Sequence, residues 1–452
     1  MGDDTTKLHR SLSAGQLSMI AIGGAIGTGL FLGSGFAIST AGPSVLVSYL
    51  IGGVISLLLM GALAEMTVAD PAAGSFGVFA DRYLGPLGGY VIRYAYLAGI
   101  ILAVGTEVTA IAIYMKFWWP AVPGLYWILG FSAALIAVNA FDVRVFGSVE
   151  YVLSLIKIVA IVGFILLGAW WVFGSSPLPG AGLQNYTADG GFFPHGLGGM
   201  WVAVIIAIFS YFSIEMIAVA AGEAADPERA IVQAFKATIA RLLVFYIATI
   251  ALMLAIVPWA RAGEGGSPFI IVMAASGWPA AAGVVNLVIL IAALSAMNSQ
   301  LYVASRMLFG LAEAGHAPRA LARVSRAGVP RRALAVTSLG IACAVAVYAA
   351  RPETAFTLMI SVATCGAMVT WMLIFVTHVA YRRKHQPEPG RFRMPGGQWT
   401  SLLGAVLMAA ILITTAFTEA FRMTLVVGVP CFAVLLLIWW LRQRLRRGGV
   451  AE

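Results

Sequence analysis

The chain is poor in charge and in the residues that soluble chemistry needs. Of its 452 residues only 10% are charged, against 61% hydrophobic. A soluble globular domain carries about 25% charged residues, so that class is excluded. The three cysteines, Cys343, Cys365 and Cys431, lie in apolar segments at no metal-ligand spacing. They read as small core residues rather than a disulfide or metal framework. The five histidines (His9, His195, His316, His378, His385) are equally scattered, so no metal and no other cofactor is expected. The stretch Gly24-Ala25-Ile26-Gly27-Thr28-Gly29 does not match the phosphate loop G-x-x-x-x-G-K-[ST], and no strand precedes it. An ATP-driven pump is therefore disfavoured. A membrane enzyme is disfavoured too, for want of a histidine cluster or an acid-rich loop. No cleavable signal peptide is expected, because the first fifteen residues are polar and the first apolar segment lacks a small-residue cleavage site.

What is present is a series of long apolar runs. A crossing of the bilayer needs about 20 apolar residues. Twelve such segments are expected, at 16–40, 43–68, 87–115, 124–141, 150–173, 197–222, 236–259, 281–310, 333–350, 355–380, 400–418 and 423–441. The reading is an all-α polytopic membrane protein of 12 transmembrane helices. The formal net charge of +9 does not point to nucleic acid, because the basic residues sit in short loops between spans. With both termini cytoplasmic, twenty-four of the 28 lysines and arginines fall inside, and only Lys116, Arg261, Arg351 and Arg422 fall outside. A multi-pass membrane protein with cytoplasmic termini, with the lipid bilayer as its solvent, is expected. Trp118-Trp119, Trp127 and Trp259 fall near outer span ends and Trp439-Trp440 near an inner end, as interfacial anchors do.

The organising stretch is Gly23–Gly35, with six glycines in thirteen positions inside span 1. Each glycine costs a helix up to about 1 kcal/mol against alanine. In a bilayer, an interrupted helix is tolerated where it is buried or lines a cavity. Many transporters build a substrate site this way, with half-helix N-termini facing an anion and freed carbonyls facing a cation. The plainer reading is close helix packing through small residues. Span 6 shows a second interruption near Phe209-Ser210-Tyr211-Phe212-Ser213, followed by Ile214-Glu215. Spans 1 and 6 are corresponding members of two five-span units that enter the membrane from opposite sides. Paired broken helices in inverted halves point to a midplane binding site.

Intramembrane charge is the remaining signal. Glu107 and Glu215 lie well inside spans, and Glu65 lies near the inner end of span 2. A buried carboxylate is paired, protonated or functional. Glu107 lies ten residues before Phe117-Trp118-Trp119, roughly 15 Å deep. It reads as a proton carrier or a ligand for a substrate amine, or else as a helix-to-helix hydrogen bond. Glu215, just past the second interruption, reads as a cap on freed N–H groups or a brace for a gate. Lys157 is seven residues past Glu150. It either snorkels to the inner interface or serves as a fixed positive charge that gains and loses a proton where a sodium ion would otherwise bind. Asn298 reads as a cross-helix hydrogen bond or plain packing.

These segments together resemble the bacterial amino acid permeases of the amino acid–polyamine–organocation superfamily, in the amino acid transporter branch, which implies a place in the bacterial cytoplasmic membrane. The resemblance rests on Gly23–Gly35 with Ala41-Gly42-Pro43; Glu65-Met66 before Gly74-Ser75-Phe76; Glu107-Val108-Thr109-Ala110; and Lys157-Ile158-Val159. It continues through Phe209-Ser210-Tyr211 with Glu215 and Glu223, and the run from Asn298 to Leu308. The resemblance implies a five-plus-five inverted-repeat core over 16–380 (spans 1–5 at 16–173, spans 6–10 at 197–380). Two extra spans at 400–441 and tails at 1–15 and 442–452 complete the chain. It implies uptake of an amino acid by alternating access, usually as proton symport. An exchanger, or a sensor built on a transporter-like fold, is the alternative. By position, the substrate carboxylate would meet N–H groups at Gly27, Thr28 and Gly29. The α-amino group would meet carbonyls near Ala25 and Phe209. Phe209 would close over the substrate, next to Ser210, and Phe212 and Glu107 would line the side-chain pocket. Lys157, Glu107, Glu215 and Phe209 would serve proton coupling and gating. Two positions depart from the family pattern. Ser213 stands where many members have glycine, and Arg93 replaces a small or aromatic residue with no evident partner in sequence.

Overall fold

The computed structural model describes residues 19, 22–69, 75–174, 178–220, 227–264, 266–278, 280–385 and 392–448; for Ser75, Ala220, 227–241 and 446–448 it describes the backbone alone. The expected tail at 1–15, Gly74 and Glu223 lie outside the described residues, as does the end of the tail at 442–452.

The described part of every one of the twelve expected segments lies chiefly on helix, and no strand occurs among the described residues. Among the described residues, ten helical stretches are long and apolar enough to cross a bilayer. One of them, Ile22–Ala69, is 48 residues long and holds spans 1 and 2. A 3₁₀ turn at Gly42–Ser44 separates them, with Gly42 at φ +62 and Pro43 opening the turn. Span 7 is the helix Pro227–Ile256, whose described apolar part is Leu242–Ile256. The remaining spans run Pro86–Lys116, Gly124–Phe141, Val143–Phe173, Ala281–Glu313, Ala355–Lys384, Gly397–Phe417 and Arg422–Gly448. Span 6 is split into Gly196–Tyr211 and Met216–Ala220, and span 9 into Arg331–Thr337 and Leu339–Ala350.

Burial sorts the spans into an inner and an outer set. The most apolar stretch of span 6 is 89% buried, while that of span 12 is only 11% buried. Spans 1, 3, 6, 8 and 10 form the interior, and span 3 packs along both span 10 and span 8. Large apolar side chains such as Leu166, Phe173 and Phe417 point outward. On a soluble protein they would be a liability; on a membrane span they face lipid.

Two polar networks fasten the ends of this bundle. Near the end of span 2, Glu65 accepts from Arg382 Nη2 at 2.7 Å and from the Met394 N–H at 2.8 Å, with His378 Nε2 at 3.3 Å. His378 Nδ1 lies 2.8 Å from the Ser401 hydroxyl. Spans 2, 10 and 11 are thereby tied through one carboxylate. Arg93, without an evident partner in sequence, pairs with Asp81 at 2.5 Å. Asp81 sits on the short helix Ser75–Leu84, which is not itself a span. Gly77 and Gly89 make room for the pair: a Cβ on Gly89 would fall 1.7 Å from Asp81 Oδ1.

Candidate functional site

Span 1 bends at Ile26-Gly27 and resumes through a π-helical turn at Gly29–Gly33. Span 6 breaks into turns over 212–215, and Ser213 takes φ +84. That left-handed backbone costs an L-residue roughly 1–2 kcal/mol and is the region glycine prefers. The two interruptions touch. A Cβ on Gly29 would lie 2.8 Å from Ser210 Cα, and one on Gly24 would lie 2.6 Å from Met216 Sδ. The glycines of span 1 thus permit backbone contact with span 6, so close packing and an unwound site are the same feature here.

The freed backbone groups of span 1 are engaged by side chains from other spans. Glu107, from span 3, accepts the Thr28 N–H at 3.3 Å to both carboxylate oxygens and the Thr28 hydroxyl at 3.1 Å. The N–H group expected to meet the substrate carboxylate at Thr28 is therefore held by a carboxylate of the protein itself. Lys157, from span 5, is fully buried and does not snorkel. Its Nζ donates to Gly23 O at 2.7 Å and Ile26 O at 2.9 Å. These carbonyls end the first half of the broken helix, where a cation complements the dipole.

A third buried charge was not expected from sequence. Span 5 starts at Val143, because Asp142 caps it by accepting the Arg144 N–H at 2.7 Å. Glu150 therefore lies two turns inside the helix rather than at its start, and it is fully buried. It accepts from Ser154 Oγ at 2.9 Å, from Asn298 Nδ2 at 2.9 Å and from the Ser295 hydroxyl. Asn298 in turn accepts from Asn139 Nδ2 at 2.8 Å, so Asn298 makes the cross-helix hydrogen bonds its type suggests. A Cβ on Gly23 would lie 2.0 Å from Glu150 Oε1, so only glycine fits there. Gly23 thus touches Glu150 through its Cα side and Lys157 through its carbonyl.

Span 6 is held differently, by neutral groups and by its own turn. Glu215 accepts the Ser213 N–H at 3.1 Å and Trp371 Nε1, from span 10, at 3.0 Å. It caps the interruption and ties it to span 10. Tyr246, from span 7, puts its hydroxyl 2.9 Å from Ala25 O and 2.7 Å from Ser210 O, joining the two broken helices. The Ala25 carbonyl expected to meet a substrate amine already has this donor. The Ser210 hydroxyl donates to Ile206 O at 3.0 Å and lies 3.0 Å from the Tyr49 hydroxyl.

A cavity with room for about one water lies between the two interruptions. It is lined by Gly24, Ala25, Gly27, Gly29, Glu107, Phe209, Phe212, Ser213 and Gln300. Six of the expected substrate residues meet there: Ala25, Gly27, Gly29, Glu107, Phe209 and Phe212. Thr28, Ser210, Lys157 and Glu215 stand behind that surface. Gln300, Gly24, Glu150, Tyr49 and Tyr246 are additions that only the three-dimensional arrangement brings out. A larger cavity of about 370 Å³ lies along the next turns of span 1, lined by Leu32, Phe36, Ile206, Glu353, Phe356 and Phe421 among others.

A polytopic membrane protein whose two broken helices meet at a buried site lined by ionisable side chains has the build of a transporter. The chain belongs to the amino acid permease family, whose model matches residues 16–450. It is 37% identical over 439 residues to the uncharacterized amino acid permease YtnA of Bacillus subtilis, covering 96% of this chain and 95% of that protein. It is also 37% identical over 440 residues to the aromatic amino acid transport protein AroP of Escherichia coli K12, with 96% and 95% covered. The AroP of Salmonella typhimurium matches at 37% over 414 residues, 91% of each chain.

Proposed function

We propose that this amino acid permease takes up neutral amino acids by alternating access, with a proton as the coupling ion. The observation that carries the reading is the Glu107 carboxylate on the Thr28 N–H. The start of a half-helix is an anion site. A substrate carboxylate and Glu107 therefore compete for the same donors. A proton on Glu107 removes its charge and turns one oxygen into a donor, which weakens its hold on Thr28. Proton and substrate then bind together, which is the requirement of symport. Lys157 acts at the other end of the same half-helix. While protonated it holds Gly23 O and Ile26 O. Loss of that proton removes the charge that complements the half-helix dipole and weakens both bonds, which lets the first half of span 1 move.

The lysine and arginine asymmetry favours cytoplasmic termini. The cavity of about 370 Å³ then lies toward the outer end of span 1 and serves as the way in. Phe209 and Phe212 line the inner cavity and suit apolar or aromatic side chains. The AroP relatives are named for aromatic amino acids, so that class is the first to test. The experiment uses purified protein in liposomes with an inward proton gradient and a panel of labelled amino acids. Accumulation that an uncoupler abolishes is expected. Uptake that requires a preloaded lumen would identify an exchanger and contradict the proposal.

A further inference from the structure

Many polar groups around the two interruptions have partners, although the buried Tyr211 hydroxyl has none among the described residues. Glu107 holds Thr28, Ser210 holds Tyr49, Glu215 holds Ser213 N–H and Trp371, and Tyr246 holds two carbonyls. Two polar side chains that line the inner cavity are exceptions. Gln300 Oε1 and Ser213 Oγ are buried and have no hydrogen-bond partner among the described residues. Gln300 is 3% exposed and Ser213 1%. Buried polar atoms are normally paired, and an unpaired one calls for an explanation.

Ser213 supplies a second, independent observation. It holds a serine at φ +84, where glycine would sit without strain. A strained backbone that carries a free hydroxyl into a cavity is a reason to look for a function of that hydroxyl. Relief of strain alone would favour glycine.

We infer that Gln300 and Ser213 form the polar end of the substrate pocket, and that the permease selects neutral amino acids whose side chains carry a hydrogen-bond donor. The carboxamide oxygen of Gln300 accepts an N–H or O–H from the substrate, and the Ser213 hydroxyl accepts or donates beside it. Phe209 and Phe212 cover the apolar part of the same side chain. This rests on the amino acid uptake reading above and adds to it the class of side chain. A site built to bond a substrate hydroxyl rejects the analogue that lacks it, because its own buried groups are then left unpaired.

The test measures uptake of near-isosteric pairs, tyrosine against phenylalanine and threonine against valine, in liposomes. The wild-type protein is expected to favour the polar member of at least one pair by about tenfold in kcat/KM, which corresponds to about 1.4 kcal/mol. Ser213→Gly, Ser213→Ala and Gln300→Leu should each collapse that ratio. Ser213→Gly should also raise the melting temperature, since it relieves the strained backbone, so a lost ratio in this variant is not a folding defect. Ser213→Ala keeps the strain and removes the hydroxyl alone. A wild-type protein that transports both members of each pair equally overturns this inference and leaves amino acid uptake standing. So does a preference that survives in all three variants. A protein that accumulates no amino acid overturns both readings.

Discussion

The two broken helices are alike in position and unlike in what holds them open. Span 1 is broken by glycines, and ionisable side chains from spans 3 and 5 engage its freed groups: Glu107 on the Thr28 N–H, and Lys157 on Gly23 and Ile26. Span 6 has no glycine at its interruption. A serine carries the strain, the chain's own Glu215 caps the turn, and the neutral hydroxyl of Tyr246 and the indole of Trp371 fix it to its neighbours. A group that gains or loses a proton changes how it bonds, whereas a neutral tyrosine or tryptophan bonds alike across the working pH range. On the proposed reading, the ionisable side chains that reach span 1 from other spans answer to protons and the neutral groups on span 6 give support, with Glu215 an ionisable side chain at the span 6 turn itself.

The largest effect is expected from Gly27→Val. A Cβ there would lie 2.5 Å from Glu107 Oε1 and 2.7 Å from the Ala296 Cβ. Substrate binding by the purified protein should be lost; normal affinity would mean that the glycines serve packing alone. Glu107→Gln should come next. It keeps the shape and removes the titrating group, so accumulation against a gradient should be largely abolished, as read in liposomes. Uptake with a wild-type pH dependence would return Glu107 to a purely structural hydrogen bond. Lys157→Ala leaves two buried carbonyls without their donor, and the ratio of accumulated substrate under a fixed proton gradient should fall. Unchanged coupling would remove Lys157 from the mechanism. The smallest effect is expected on span 6. Tyr246→Phe removes the one hydroxyl proton that Ala25 O and Ser210 O share, and a buried group that loses its partner costs about 1–3 kcal/mol. A melting curve should show a lower transition temperature, while the pH profile of uptake keeps its wild-type shape. A shifted profile would break the division of labour between the two spans.

Much of span 1 was legible because its signal is local. Six glycines within thirteen residues are visible without any tertiary information, and so is a lysine inside an apolar run. Glu150 was not legible for a definite reason. The apolar run suggests a helix beginning at 150, but the polar turn before it is also helical because Asp142 caps it. Moving the start to Val143 carries Glu150 from the interface into the interior. Tyr49 and Tyr246 read as core aromatics in sequence, since nothing local tells a packed tyrosine from one whose hydroxyl reaches a distant carbonyl. Arg93 finds Asp81 on a short helix that hydropathy passes over. Ser213 was visible as a departure from the family's glycine; its positive φ supplies the physical meaning of that departure.

The central claim is that Glu107 and the substrate carboxylate compete for the N–H groups of span 1. The most direct measurement is the affinity of the purified protein for its best substrate from acidic to alkaline pH, in the wild type and in Glu107→Gln. Protonated Glu107 is the weaker competitor. Wild-type affinity should therefore rise as pH falls, by about tenfold for each 1.4 kcal/mol of competition removed. The Glu107→Gln protein should bind with a nearly flat pH profile. The same pH slope in both proteins would contradict the account, and the coupling proton would have to bind elsewhere.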